Sequence, residues 1–150
     1  MLKAIGHLCK QKDDKMAGNV IKEYVDHVHD YEISSYTVDI TNHILQIFAE
    51  YCENKSAITF TGLLAHHFDH VTYSNILDDV TEVTVDWFIA FFREMLTDAL
   101  RFAFPVWDAK NCEDLSAYLK EKDERTFIIY SSLGLNGFVI AKEISVTSNP

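Results

Sequence analysis

His66, His67, Asp69 and His70 come closer to chemistry than any other group of side chains in this 150-residue chain. On a helix, His66 and His70 stand at i and i+4, the spacing at which two imidazoles share one metal ion. A hydrolytic zinc helix carries a glutamate beside its first histidine, but here that neighbour is His67. No further ligand can be named, and the plainer reading puts the histidines on the solvated side of a short helix, with Leu64 and Phe68 on the other. No metal and no cofactor are expected. Asp78 with Asp79, and the run from Glu121 to Glu124, read as solvated faces or helix ends. The chain has no Gly-rich phosphate loop and no Gly-x-Ser-x-Gly elbow. Cys9, Cys52 and Cys112 are odd in number and widely spaced, which argues against a disulfide framework. Nothing basic clusters beside Cys52 or Cys112, so both read as small core residues. The expectation is a protein that is not an enzyme, with no catalytic residues.

Length and a 48% hydrophobic content suit one domain over residues 1–150, and 5 Gly with 2 Pro leave few turn-formers for a sandwich or barrel. An all-α fold is therefore expected. Its axis is the stretch 85–104, apolar at every position from Trp87 to Phe92, with Arg93, Glu94, Thr97, Asp98 and Arg101 as a narrow wet stripe beyond. Those charges argue against a membrane span. Before it, the spacing of Val20, Tyr24, Val28 and Tyr31 predicts a first helix over 17–31, after a charged start at 10–15. Ile40, Ile44, Ile47, Phe48 and Tyr51 predict a second, and Lys55 to Thr61 is β-branched enough to be extended. Leu63, Leu64 and Phe68 make a short third helix, and Tyr73, Ile76, Leu77 and Val80 a fourth. Pro105 should end the axis near Phe104, and a weaker helix follows over 108–122. Residues 126–146 read either as a hairpin turning at Asn136-Gly137 or as two short helices broken at Gly134 and Gly137; after six helical segments the helices are favoured. The net charge of −10 argues against nucleic acid. The N-terminus turns charged at once, without the apolar core of a secretory signal, so a cytoplasmic and not a secreted protein is expected.

Particular residues resemble the Bcl-2 family of apoptosis regulators. Leu45-Gln-Ile-Phe-Ala49-Glu50 is similar to the BH3 core of that family, and Ile58-Thr-Phe60-Thr-Gly-Leu63 to its Phe-x-x-Leu after the second helix. Tyr73-x-x-Ile76-Leu77 resembles the fourth-helix pattern, Val20-Ile-Lys-Glu-Tyr24 the first helix, and Asp86-Trp87 the Asn-Trp of the BH1 motif. The resemblance covers residues 17 to about 104 and implies a Bcl-2-like bundle of about seven to eight helices round the central helix 85–104. Its departures are Phe88 and Ile89 where the family has Gly then Arg, a BH2 motif only echoed by Leu133-Gly-Leu-Asn-Gly-Phe138, and no transmembrane tail.

What the resemblance implies is a viral, host-cell homologue that inhibits apoptosis by sequestering BH3 helices of pro-apoptotic proteins, such as Bim, Bak or Bax, with narrow selectivity. The groove would be lined by Cys52, Phe60, Leu63, Ile76, Val80, Phe88, Ile89 and Phe92, with Asp86 and Arg93 as polar contacts and Arg93 standing in for the missing arginine. A homodimer burying the groove is a further expectation. The alternative keeps a Bcl-2-fold or unrelated helical interaction module but has it inhibit inflammatory signalling instead of cell death.

Overall fold

The computed structural model describes residues 18–24 and 30–150. The charged start at 10–15, Cys9 and the middle of the expected first helix, 25–29, lie outside them. Alternation governs the first half of the chain: Leu45, Ile47 and Ala49 are buried while Ile44, Gln46 and Phe48 between them are only half-buried, a period of two residues. The same stretch is crowded with β-branched Ile33, Thr37, Val38, Ile44, Ile47, Ile58 and Thr59, whose stiff side chains suit a pleated surface. Six strands result: β1 (Val20–Glu23), β2 (Tyr31–Asp39), β3 (Ile44–Tyr51), β4 (Asn54–Thr61), β5 (Ala65–Asp69) and β6 (Ile76–Val83). Three short helices follow, α1 (Val85–Phe91), α2 (Arg93–Leu100) and α3 (Cys112–Glu121), then β7 (Arg125–Leu133), β8 (Asn136–Ala141) and β9 (Glu143–Ser148).

The all-α, Bcl-2-like bundle is overturned: the protein is mostly antiparallel sheet, with nine strands among the described residues. Expected helices one, two, three and four are replaced by β1, β3, β5 and β6. The extended reading of Lys55 to Thr61 is met by β4, and the helix of 108–122 by α3. The axis of 85–104 is α1 and α2, which meet at Phe92 and lie on the sheet instead of running through a bundle. The scarcity of glycine misled because Asp30, His43, Cys52, His70, Ala103, Asp123 and Asn149 take the left-handed conformation at turns and element ends. Residues 126–146 are strands as well. Their hairpin turns at Gly134 and Leu135, while Asn136 and Gly137 begin β8. Asn136 still shapes the turn: its Oδ1 accepts from Ser131 N at 2.9 Å and its Nδ2 donates to Gly134 O at 2.9 Å.

The strands run in the order β5-β8-β7-β6-β2-β3-β4-β9, with β1 also on β6. β4 bends at Gly62 into β5, and β8 bends at Lys142 into β9. Because β4 pairs with β9 and β5 with β8, these are two bent strands paired round one corner, and the sheet closes on itself. Lys142 N donates to Thr61 O at 3.0 Å and Leu64 N to Ile140 O at 2.8 Å across that corner. Gly62, at φ +63°, is needed there, since a Cβ would stand 2.5 Å from Lys142 Cγ. Inside the ring, Leu45, Ile47, Ile58, Phe60, Val80, Phe127 and Val139 form one core. A second core lies between the outer faces of β7 and β8 and the helices, where Ile128, Tyr130, Phe138 and Ile140 meet Phe88, Ile89, Leu96, Leu115 and Leu119. Among the described residues no helix is long and apolar enough to cross a membrane.

Buried Asn75 ties the loop before β6 to the hairpin turn. Its Oδ1 accepts from Thr72 N and Leu135 N, both at 3.0 Å, its Nδ2 donates to Thr72 O at 2.7 Å, and its carbonyl accepts from Ile33 N at 2.7 Å. Asn75→Ala removes the three side-chain bonds and strands buried backbone groups, so a loss of about 2 kcal/mol is expected in urea unfolding. A loss under about 0.5 kcal/mol would show that water replaces the side chain.

Candidate functional site

α1 starts where Thr84 accepts from Trp87 N at 3.3 Å, with Asp86 in its first turn, as a helix N-terminus favours. α2 then presents Met95, Asp98, Ala99 and, just past its end, Phe102 at i, i+3, i+4 and i+7, one stripe along its surface. Leu96 and Leu100 are buried beneath. The chain leaves α2 through hydrogen bonds from Phe102 N to Ala99 O (2.9 Å), Ala103 N to Leu100 O (3.1 Å) and Phe104 N to Ala99 O (3.2 Å).

Opposite that stripe stands β5. It lies close against β8 because Gly137 has no side chain: a Cβ there would be 1.8 Å from His67 O. His67 stacks on Phe138 with ring centres 5.8 Å apart, and Phe104 reaches the same phenylalanine at 6.3 Å. Between the two walls is a cleft of about 320 Å³ lined by His67, Met95, Asp98, Ala99, Phe102 and Phe104. Small Ala99 leaves the room. Beyond it the loop carries Phe102, 82% exposed, and Trp107, 89% exposed. A second hollow, of about 440 Å³, lies along β3 and β4, but its charges Glu50 and Lys55 stand opposite each other in register and offset one another.

The polar groups of the cleft are few. His67 Nε2 is buried without a hydrogen bond; it lies 3.2 Å from Asp69 Oδ2, near enough for an ion pair if the ring is protonated but poorly aligned for a hydrogen bond. Burial, then the neighbouring His67, push the His66 imidazole below its usual pKa, which favours its neutral form. Asp98 is exposed, and its carboxylate has no hydrogen bond or ion pair among the described residues. The short helix on whose solvated side these histidines were expected is strand β5, with His70 just past its end, and no group of three or more His, Cys, Asp or Glu side chains among the described residues converges on a metal position.

The residues expected to line one groove are dispersed. Phe60, Val80 and Leu63 belong to the core inside the ring, and Phe88, Ile89 and Phe92 to the core under the helices. Ile76 is half-buried at the start of β6, and Cys52 is exposed in the turn between β3 and β4, where a core position was expected. Asp86 pairs with Lys120 at 2.6 Å, and Arg93 with Glu113 at 2.9 Å. Hydrogen bonding to Glu113 raises the Arg93 pKa and lowers that of Glu113, so Arg93 already has its carboxylate. The cleft was missed although Phe102-Ala-Phe104-Pro-Val-Trp107 sets three aromatic residues round a proline, a signal of an aromatic loop that stops a helix. Compared with family models, curated proteins and solved structures, the chain matches none, so the site rests on its own geometry.

Proposed function

We propose that this chain is an interaction protein whose cleft between α2 and β5 takes an apolar side chain of a partner. The observation that carries this reading is Phe102, held by backbone hydrogen bonds at the end of α2 and exposed to water beside an apolar cleft, with exposed Trp107 following in the same loop. Aromatic side chains fixed in that way are typical anchors of binding surfaces, and the cleft has room for about one large side chain. The groove between helices through which capture of BH3 helices was expected is not formed. An amphipathic helix remains one form in which a partner presents such a side chain, so an anti-apoptotic role is retained only as a role this cleft would have to serve.

Titration with a neutral solvatochromic dye tests the reading. Saturable one-to-one binding is expected, weakened about tenfold in Phe102→Ala and blocked in Ala99→Leu, with thermal midpoints close to the parent because both positions face the cleft. Undiminished dye binding by both variants would place the apolar surface elsewhere.

A further inference from the structure

Resting on that reading, we infer that the partner is a polypeptide whose apolar anchor is accompanied by a Lys or Arg, so that the cleft selects a cation beside an apolar group. The lining supplies acceptors and ring faces but no fixed cation. Asp98 places on the helical wall, one turn from Met95 and next to Ala99, a carboxylate that has no partner among the described residues. Phe102 and Phe104 add two aromatic faces, whose electron-rich centres attract ammonium and guanidinium groups. Arg101, the nearest cation along the chain, is exposed and does not line the cleft. The net charge of −10 reinforces this preference at long range and weakens as salt is added. Trp107 favours a polypeptide over a small amine. It is a further aromatic side chain, 89% exposed and three residues past Phe104 in the chain, open to contact with the next residues of a bound chain.

The test is a nuclear magnetic resonance titration of the full chain, read at the methyl groups of Met95 and Ala99, with three capped dipeptides, Phe-Lys, Phe-Gln and Phe-Glu, and with phenethylammonium. Phe-Lys is expected to bind about fivefold more tightly than Phe-Gln, and Phe-Glu more weakly than either, with the spread shrinking in high salt. Asp98→Asn should bring the Phe-Lys to Phe-Gln affinity ratio down to about one. Equal affinities for the three dipeptides would overturn the cation inference and leave the apolar cleft standing. Phenethylammonium binding more tightly than Phe-Lys would overturn the polypeptide assignment. If no probe, neutral dye included, moved these methyl signals, the proposed function itself would fall.

Discussion

Phe138→Ala is expected to destabilise the protein by about 4 kcal/mol, the high end for a large-to-small change in a core. Phe138 is fully buried on the outer face of β8, where it meets Phe88 at 4.9 Å, Phe92 at 5.0 Å, Phe104 at 6.3 Å and His67 at 5.8 Å. Removing the ring exposes apolar area and leaves a cavity between two elements, sheet and helix, that relax little. It also takes away edge-to-face and tilted ring contacts, each worth about 1 kcal/mol beyond area. Because the same ring supports His67 and Phe104, the variant should lose dye binding at the cleft even at temperatures where it remains folded. Phe138→Leu, which keeps most of the volume, should lose less than half as much. Urea unfolding of both variants is the check, and a loss below about 1.5 kcal/mol for Phe138→Ala would mean that the helices are not seated on this residue.

Arg125→Ala should come second, at about 3 kcal/mol, and its size should depend on pH in a defined direction. The Glu82 side chain is 7% exposed and receives Arg125 through Nε at 2.9 Å and Nη2 at 2.8 Å, while the Tyr24 hydroxyl donates to it at 2.9 Å. Burial alone would raise the Glu82 pKa, but hydrogen bonds from Arg125 and Tyr24 and the charges of Arg125 and Lys22 outweigh it, and the pKa is lowered. A carboxyl lowered in the folded state contributes stability above its ordinary value near 4.5, and that contribution fades as pH falls through the folded value. Without Arg125 the sign reverses. Burial then raises Glu82, and protonating it relieves the variant of an uncompensated charge. The gap between parent and variant should therefore be widest near pH 7 and narrow towards pH 3.5. Arg125 is 34% exposed, which is why the value sits at the low end for a buried pair. A gap that stays constant over this range would show that Glu82 is not the group responsible.

How far the sequence could be read depended on where its two periodicities coincide. Ile40, Ile44, Ile47, Phe48 and Tyr51 satisfy a helical spacing, yet Leu45, Ile47 and Ala49 satisfy alternation as well, and only the β-branched content of the neighbouring residues favours the strand that forms. The amphipathic run Leu115, Tyr118 and Leu119 had no such ambiguity and folds as α3, with Asn111 accepting from Asp114 N at 2.8 Å at its start. The hairpin of β7 and β8 was legible in Phe127 to Tyr130 and Phe138 to Ile140; its neighbours, misread as helices, pulled the reading the other way. The resemblance to Bcl-2 motifs rested on short degenerate patterns; those at Val20 to Tyr24 and Leu45 to Glu50 fall largely on strands, while Asp86-Trp87 does begin a helix. The cleft was harder to foresee, because it joins α2 to β5 across the register that Gly137 allows, and no local spacing encodes that pairing.

Closure of the ring sets an order on folding. Ser56 pairs with Ser148 and Thr61 with Glu143, so β4 waits for almost the whole remainder of the chain before its second neighbour exists. The β3–β4 hairpin forms from adjacent residues, while the β4–β9 pairing joins strands far apart in the sequence and carries a much larger loop entropy. During synthesis the edge of β4 stays open until β9 emerges, with Ala57, Ile58 and Phe60 along it. That interval, when an unpaired apolar strand is available to other chains, is when this protein is most exposed to misassembly.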